Sequence, residues 1–184
     1  MLRSPLFWVC IYLVGYVTVI GVVSSAKRAA LVEERFPKLP VRILIFFTFV
    51  APVIILPFTE GPRLPLPSTP AIVIGVILLT LNFIIKIAAQ RQIGLIPALR
   101  RKSTLIATGI YRIVRHPLYI SNGLLAIGMA VLFRSIYAIL FSIPYTLLFI
   151  PIILFEEKNL LDVYGDEYKK YRKETGMIFP RLKK

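Results

Sequence analysis

The sequence predicts an all-α fold, a polytopic integral membrane protein with about five transmembrane helices and a short cytoplasmic helical tail, and three observations predict it. Of 184 residues, 57% are hydrophobic and only 17% charged, with a mean hydropathy of +0.77, whereas a soluble domain carries about 25% charge. The apolar residues fall into five runs, 6–26, 41–58, 71–89, 118–133 and 136–155, close to the roughly 20 residues that cross a bilayer. The basic residues alternate from linker to linker, as the asymmetry of loop charge on the two sides of a membrane demands.

The first run, 6–26, is long enough for about 31 Å of helix. A cleaved signal peptide competes for it, since Arg3 precedes it and Ser24, Ser25 and Ala26 resemble a cleavage site, but it exceeds the usual h-region of about 7–15 residues. Residues 27–42 form a loop with five basic and two acidic residues, read as cytoplasmic. In the second run Pro52 and Pro57 kink or end the helix. The linker 59–70 holds Pro62, Pro65, Pro67 and Pro70 and sets Glu60 against Arg63, a neutral, extended segment placed on the opposite side. The third run carries Asn82 inside and Lys86 near its end.

Segment 90–115 holds Arg91, Arg100, Arg101, Lys102, Arg112 and Arg115 with no acid, so it returns to the cytoplasmic side. The fourth run, 118–133, gives about 24 Å of helix, short of the roughly 30 Å bilayer core. Its first end is therefore expected below the headgroups, within reach of lipid-dissolved molecules. Ser121, Gly123, Ala126, Gly128 and Ala130 predict close packing against the fifth run. From Glu156 the composition changes to six acids and eight bases over 156–184. Gly165 as a stop, Asp166 as a cap and Gly176 as a second stop predict two short amphipathic helices at the membrane surface. The N-terminus is then outside, and the tail lies in the cytoplasm.

A net charge of +14 in a soluble chain points to nucleic acid; here cytoplasmic loops and anionic lipids account for it. The cluster Arg100, Arg101 and Lys102 is read as lipid-facing. The single cysteine, Cys10, lies in an apolar run, so neither a disulfide framework nor a thiolate metal site is available. No phosphate-binding glycine loop, metal-ligand spacing or nucleophile elbow appears. No nucleic-acid partner and no metal are expected; membrane lipids are.

The stretch around which these elements are arranged is 109–119, Gly-Ile-Tyr-Arg-Ile-Val-Arg-His-Pro-Leu-Tyr. It contains the only histidine, His116, and Pro117 suits the first turn of the helix that follows. Unpaired first-turn amides make such an entrance a place for polar ligand groups. Glu156 and Glu157 directly follow the fifth run; they either end it and pair with nearby bases, or bind a cation at the interface. Tyr164, Tyr168 and Tyr171 share a face if helix continues through Gly165, as an interfacial belt or a wall for a ring-shaped ligand.

Together, G-I-Y-R-I-V-R-H-P-L-Y, a helical hairpin, E-E, then Y-G-D-E-Y-K-K-Y and a final F-P resemble the isoprenylcysteine carboxyl methyltransferase family, over residues 90–180. Related membrane methyltransferases acting on phosphatidylethanolamine share the architecture. Hydropathy gives three N-terminal helices over 1–89, and the resemblance implies a methyltransferase core over 90–184. It implies S-adenosylmethionine as cofactor, held by Gly109, Tyr111, His116, Pro117, Tyr119, Glu157, Tyr168 and Tyr171. Arg115, Glu156 and Arg172 are the catalytic candidates. The implied partner is a lipophilic or lipidated substrate such as the carboxylate of a prenylcysteine, with a lipid amine as the alternative acceptor and a non-catalytic membrane scaffold as the rival of another class. The family's carboxyl-methylating members carry an arginine shortly before the paired acids. Residues 150–155 here hold no cation, leaving Arg115 or Arg172 to substitute.

Overall fold

A computed structural model describes residues 4–23, 39–93 and 105–181, and every described regular element is helical. Helix α1 is Pro5–Val23 and α2 is Leu39–Ile55, extended by a 3-10 turn at Leu56–Phe58. Helix α3 is Ser68–Ile93, α4 is Pro117–Leu132, α5 is Ile136–Leu147 and α6 is Phe149–Glu174. The basic stretch expected over 27–42 lies mostly, and the Arg100 to Lys102 cluster entirely, outside the described residues.

Two stretches have the length and composition to cross a membrane, Ser68–Ile93 and the continuous run Ile136–Glu174. Most of the α3 surface is apolar and exposed, with Ile72, Val73, Ile77, Phe83 and Ile84 all open, so hydrocarbon is the medium that fits it. These features fit an integral membrane protein. The stretches Pro5–Gly21, Phe47–Phe58 and Pro117–Leu132 are apolar but shorter than a full span, so two stretches among the described residues, rather than five, have the length and composition of a span.

Helix α3 is longer at both ends than its apolar run. It starts inside the proline-rich linker because Pro70 falls in the first turn, where its missing amide costs nothing. The rest of the linker is fastened to the α4–α5 turn. Leu64 N donates to Arg134 O at 2.7 Å, Ile136 N to Pro62 O at 3.2 Å, and the Arg63 guanidinium to the carbonyls of Pro57 and Phe133. Arg134 makes that turn with a φ of 53°, and Ser135 caps α5 by accepting the Ala138 amide. Linker and turn therefore share the end of the molecule away from His116.

The small residues of α4 serve the expected neighbour α5 and, more closely, a second one, α3. Gly128 lies against Leu78 and Leu79 of α3, and a Cβ on Gly75 would stand 2.8 Å from the Leu132 backbone. Asn82 Nδ2 donates to both the carbonyl and the hydroxyl of Ser121, at 2.6 and 2.8 Å. Gly123 faces α5 at Thr146, and Ala126 and Ala130 share the core with Ala138 and Phe141 of that helix. The closest packing is thus α3 on α4, because small side chains let two backbones approach and a buried amide must find its partner across that gap.

The tail also differs from expectation. Helix α6 runs without interruption from the apolar segment past Glu156 and Glu157 and breaks only at Gly165, with φ 53° and ψ −122°. It resumes to Glu174 and gives way to an extended strap through Gly176. Asp166 pairs with Lys169 at 2.7 Å. The break carries Tyr164 out of strict register with Tyr168 and Tyr171, so the three do not form one helical stripe.

Candidate active site

Pro117 begins α4, and a residue before proline is held out of helical geometry. His116 accordingly has φ −124° and ψ 60°. That conformation lets the chain just before the helix run beside the strap, in a single parallel bridge between Val114 and Gly176. Arg115 N donates to Gly176 O at 2.9 Å and His116 N to Met177 O at 3.1 Å. The helix-entrance amides expected to receive a ligand are in this respect occupied: His116 spends its amide on the strap and Pro117 has none.

Consecutive residues on a helix point about 100° apart, and this places Glu156 and Glu157 on two sides of one imidazole. Glu157 is 5% exposed. Its Oε1 accepts from Arg115 Nε at 2.8 Å and Nη2 at 2.5 Å, and lies 3.3 Å from His116 Nε2. Its Oε2 has the longer contact to Arg172 Nε, 3.5 Å. The Glu156 side chain is 45% exposed; its Oε2 accepts the Tyr119 hydroxyl at 3.0 Å and faces His116 Nδ1 at 3.5 Å. A neutral imidazole has one N–H. With a carboxylate near each ring nitrogen, that one N–H can be donated to Glu156 or to Glu157, according to the tautomer.

The tyrosines complete the wall. Tyr171 donates to Tyr111 O at 2.5 Å. The hydroxyls of Tyr111 and Tyr168 are buried and have no hydrogen-bond partner among the described residues. Burial raises the Tyr168 hydroxyl well above its ordinary range, with Glu157 adding to the effect and Arg115 opposing it. Burial raises Tyr111 likewise, helped by Glu156. Tyr171 is pushed up to about 12, by burial first and against the pull of Arg115. All three are therefore neutral donors at ordinary pH, and the two buried hydroxyls without a partner have a hydrogen bond left to give.

Ten of the eleven residues singled out in the sequence meet here: Tyr111, Arg115, His116, Pro117, Tyr119, Glu156, Glu157, Tyr168, Tyr171 and Arg172. The eleventh, Gly109, shapes the approach. Its φ is +55°, and a Cβ there would come within 1.6 Å of the Gln92 amide, which grips this turn when its oxygen and nitrogen are exchanged, accepting from Ile110 N and donating to Thr108 O. Arg115 is less available than expected. Its side chain is 8% exposed and is committed to Glu157 and to the carbonyls of Thr175 and Arg172, whereas that of Arg172 is 48% exposed. Sequence reasoning missed Gln92, Thr175 and Met177, and assigned Gly176 only to ending a helix. The final F-P was the one signal that the strap after Gly176 had a set course.

A model of the phospholipid methyltransferase family matches residues 70–167, from α3 through both glutamates. The chain belongs to the phospholipid methyltransferase family. It is 33% identical over 97 residues to protein-S-isoprenylcysteine O-methyltransferase of Schizosaccharomyces pombe, covering 52% of this chain and 41% of that protein. To methanethiol S-methyltransferase of Pseudomonas deceptionensis it is 32% identical over 75 residues, 41% and 28% of the two chains. To the nickel-cobalt-cadmium resistance protein NccN of Alcaligenes xylosoxydans xylosoxydans it is 36% identical over 84 residues, 45% and 39%. The chain spans less than half the length of these curated relatives. The kinship read from the R-H-P and E-E motifs holds, and family membership makes this chain a relative of membrane methyltransferases. Among the described residues no group of three His, Cys, Asp or Glu could hold a metal ion.

Proposed function

We propose that this protein transfers a methyl group from S-adenosylmethionine to a lipophilic acceptor in the membrane. The observation that carries the reading is the cluster of Glu156, His116 and Glu157 beside two unpartnered buried phenols at the start of a membrane helix. The residues present fit such a cofactor. Tyr111 and Tyr168 offer donors to its carboxylate or ribose, Glu157 Oε2 offers its ammonium an acceptor, and the aromatic faces of Tyr119 and Tyr171 suit a cation. The cofactor supplies an electrophilic methyl group on a sulfonium. The protein aligns the acceptor with it and excludes water, since charge disperses as the methyl moves.

Glu156 is the proton acceptor in this scheme. It is half exposed and joined to His116 and Tyr119, so it can take a proton from an incoming nucleophile and share it with the imidazole. That role suits an amine, which must lose a proton before attack, and an aminophospholipid is the acceptor class favoured here. The carboxylate of a prenylcysteine needs no base but needs a cation. With Arg115 committed to Glu157, Arg172 is the residue that would supply it. The chain crosses the membrane five times in this reading, with the N-terminus outside and the site and tail on the cytoplasmic side.

Calorimetric titration of S-adenosylhomocysteine into the detergent-purified full chain tests the cofactor. Saturable binding, weakened at least about tenfold, or about 1.4 kcal/mol, by Glu157→Gln is expected; no binding by folded protein would favour a membrane scaffold. Labelled methyl transfer to phosphatidylethanolamine and to a prenylcysteine then separates the acceptors. Loss of amine transfer in Glu156→Gln, with S-adenosylhomocysteine affinity retained, is the result expected of a base.

A further inference from the structure

The family match ends at residue 167, yet the chain after it reaches back to the centre of the matched region. Residues 175–177 lie beside 114–116, and the two amides flanking the Arg115–His116 peptide are bonded there to strap carbonyls. The Arg115 guanidinium joins three partners at once, the Glu157 carboxylate, the Thr175 carbonyl and the Arg172 carbonyl. Thr175 Oγ1 also reaches Arg112 O at 3.5 Å. Gly176 is confined to its place, since a Cβ there would lie 1.8 Å from Phe179 O. Beyond that turn Arg181 folds back and donates to the carbonyls of Arg172 and Lys173 at the end of α6, where unpaired carbonyls and the helix dipole favour a cation.

We propose that residues 175–181 are a positioning strap for the site. By holding Arg115 and the His116 amide they set the orientation of Glu157 and the imidazole, and Arg181 is the clasp that keeps the strap folded. The physical basis is geometric. A guanidinium presents a rigid planar fork, so carbonyls fixed on one side of Arg115 fix the direction in which its other nitrogens meet Glu157. Without the strap, Arg115 keeps its charge, but it and the His116 ring lose their bearing. A cleft of about 520 Å³ between the strap and the end of α6, lined in part by Arg115, Arg172 and Met177, leaves room for the strap to move when unclasped. The cofactor-affinity consequence rests on the proposed function; the positioning itself does not.

The chain supplies its own reporters, with one histidine in the site and one tryptophan, Trp8, in the α1 core. NMR of the full chain labelled with 15N-histidine reads the His116 ring, and Trp8 fluorescence reads the rest of the fold. In Gly176→Ala and Arg181→Ala we expect the ring signals to shift, Trp8 emission to stay unchanged, and S-adenosylhomocysteine affinity to fall about tenfold in the former and about threefold in the latter. Arg181→Lys should restore part of the change in the ring signals. Unchanged ring signals in Arg181→Ala would overturn the proposal. So would a joint shift of His116 and Trp8, which marks general loosening. Should Gly176→Ala fail to fold, Arg181→Ala decides alone, because Arg181 is exposed and its guanidinium is bonded to the helix end. Absence of S-adenosylhomocysteine binding in the unaltered protein would remove the cofactor reading and leave the ring signals to judge the strap.

Discussion

The two ends of this protein's core are built by different physics. Around α1 and α2 the contacts are rings on rings: Tyr12 meets Phe49, Phe141 and Tyr145 at centroid distances of 5.4, 5.2 and 5.2 Å, and Trp8 meets Phe7 at 5.3 Å. A long hydrogen bond, Tyr12 to Tyr145 O at 3.4 Å, is added to these rings. Around His116 the contacts are directional and charged, and each group answers to several others. Aromatic packing of the first kind tolerates adjustment, because many small attractions are redistributed when one ring moves. A buried ionic cluster does not, because removing one member leaves its partners charged and unpaired. The two regions are not insulated. Phe149 touches Tyr145 on one side and Tyr119 on the other, both at 5.0 Å, so the apolar core forms the floor of the site.

The contrast breaks most sharply at Glu157. Glu157→Ala strands Arg115 and His116, and a loss of about 3–5 kcal/mol is expected in denaturant unfolding. Glu157→Gln, which keeps the shape and an acceptor oxygen, should lose clearly less; equal losses would mean that charge contributes nothing there. Gly109→Ala comes next. It strains a left-handed residue and displaces Gln92, and about 1–3 kcal/mol of destabilisation is expected, measured by the same unfolding curves.

The phenols sharpen the comparison through pH. Tyr171 is raised from its ordinary 10.0 to about 12, so the folded state holds its proton where the unfolded state releases it. Its contribution is complete below about pH 10 and is lost as pH rises through about 12. Thermal midpoints followed by Trp8 fluorescence should therefore fall over that interval. Tyr171→Phe should make the decline shallower, and a midpoint flat to pH 12 would contradict the burial of these groups. The smallest effect belongs to the aromatic core. Tyr12→Phe keeps the ring and loses a stretched hydrogen bond, at a cost below about 1 kcal/mol, with cofactor affinity unchanged in the calorimeter.

Much of the site was legible because its residues are chemically out of place. A lone histidine before a proline, and paired acids at the end of an apolar run, are costly unless they have partners, so their types and positions announced them. The helices were legible for the same reason in reverse, since long apolar runs have few ways to satisfy their backbone in hydrocarbon. Gln92 was not legible, because one polar residue near a helix end resembles any other until the loop it holds is seen. Nor was the commitment of Arg115. From the chain alone it was as free as Arg172 to meet a substrate, and only the carbonyls of Thr175 and Arg172 assign it to Glu157.

The sequence by itself therefore determined the membrane class, the helical runs, the break at Gly165 and the residue types of the site. These depend on hydropathy, on charge and on what glycine and proline allow locally. The tertiary structure alone decided that the small residues of α4 serve α3 as well as α5, that His116 stands between two carboxylates, and that the strap returns to residues 114–116. Those outcomes depend on contacts between residues distant along the chain, such as Arg115 and Thr175, whose partners no local preference selects. They are settled when every buried donor and charge finds its place at once.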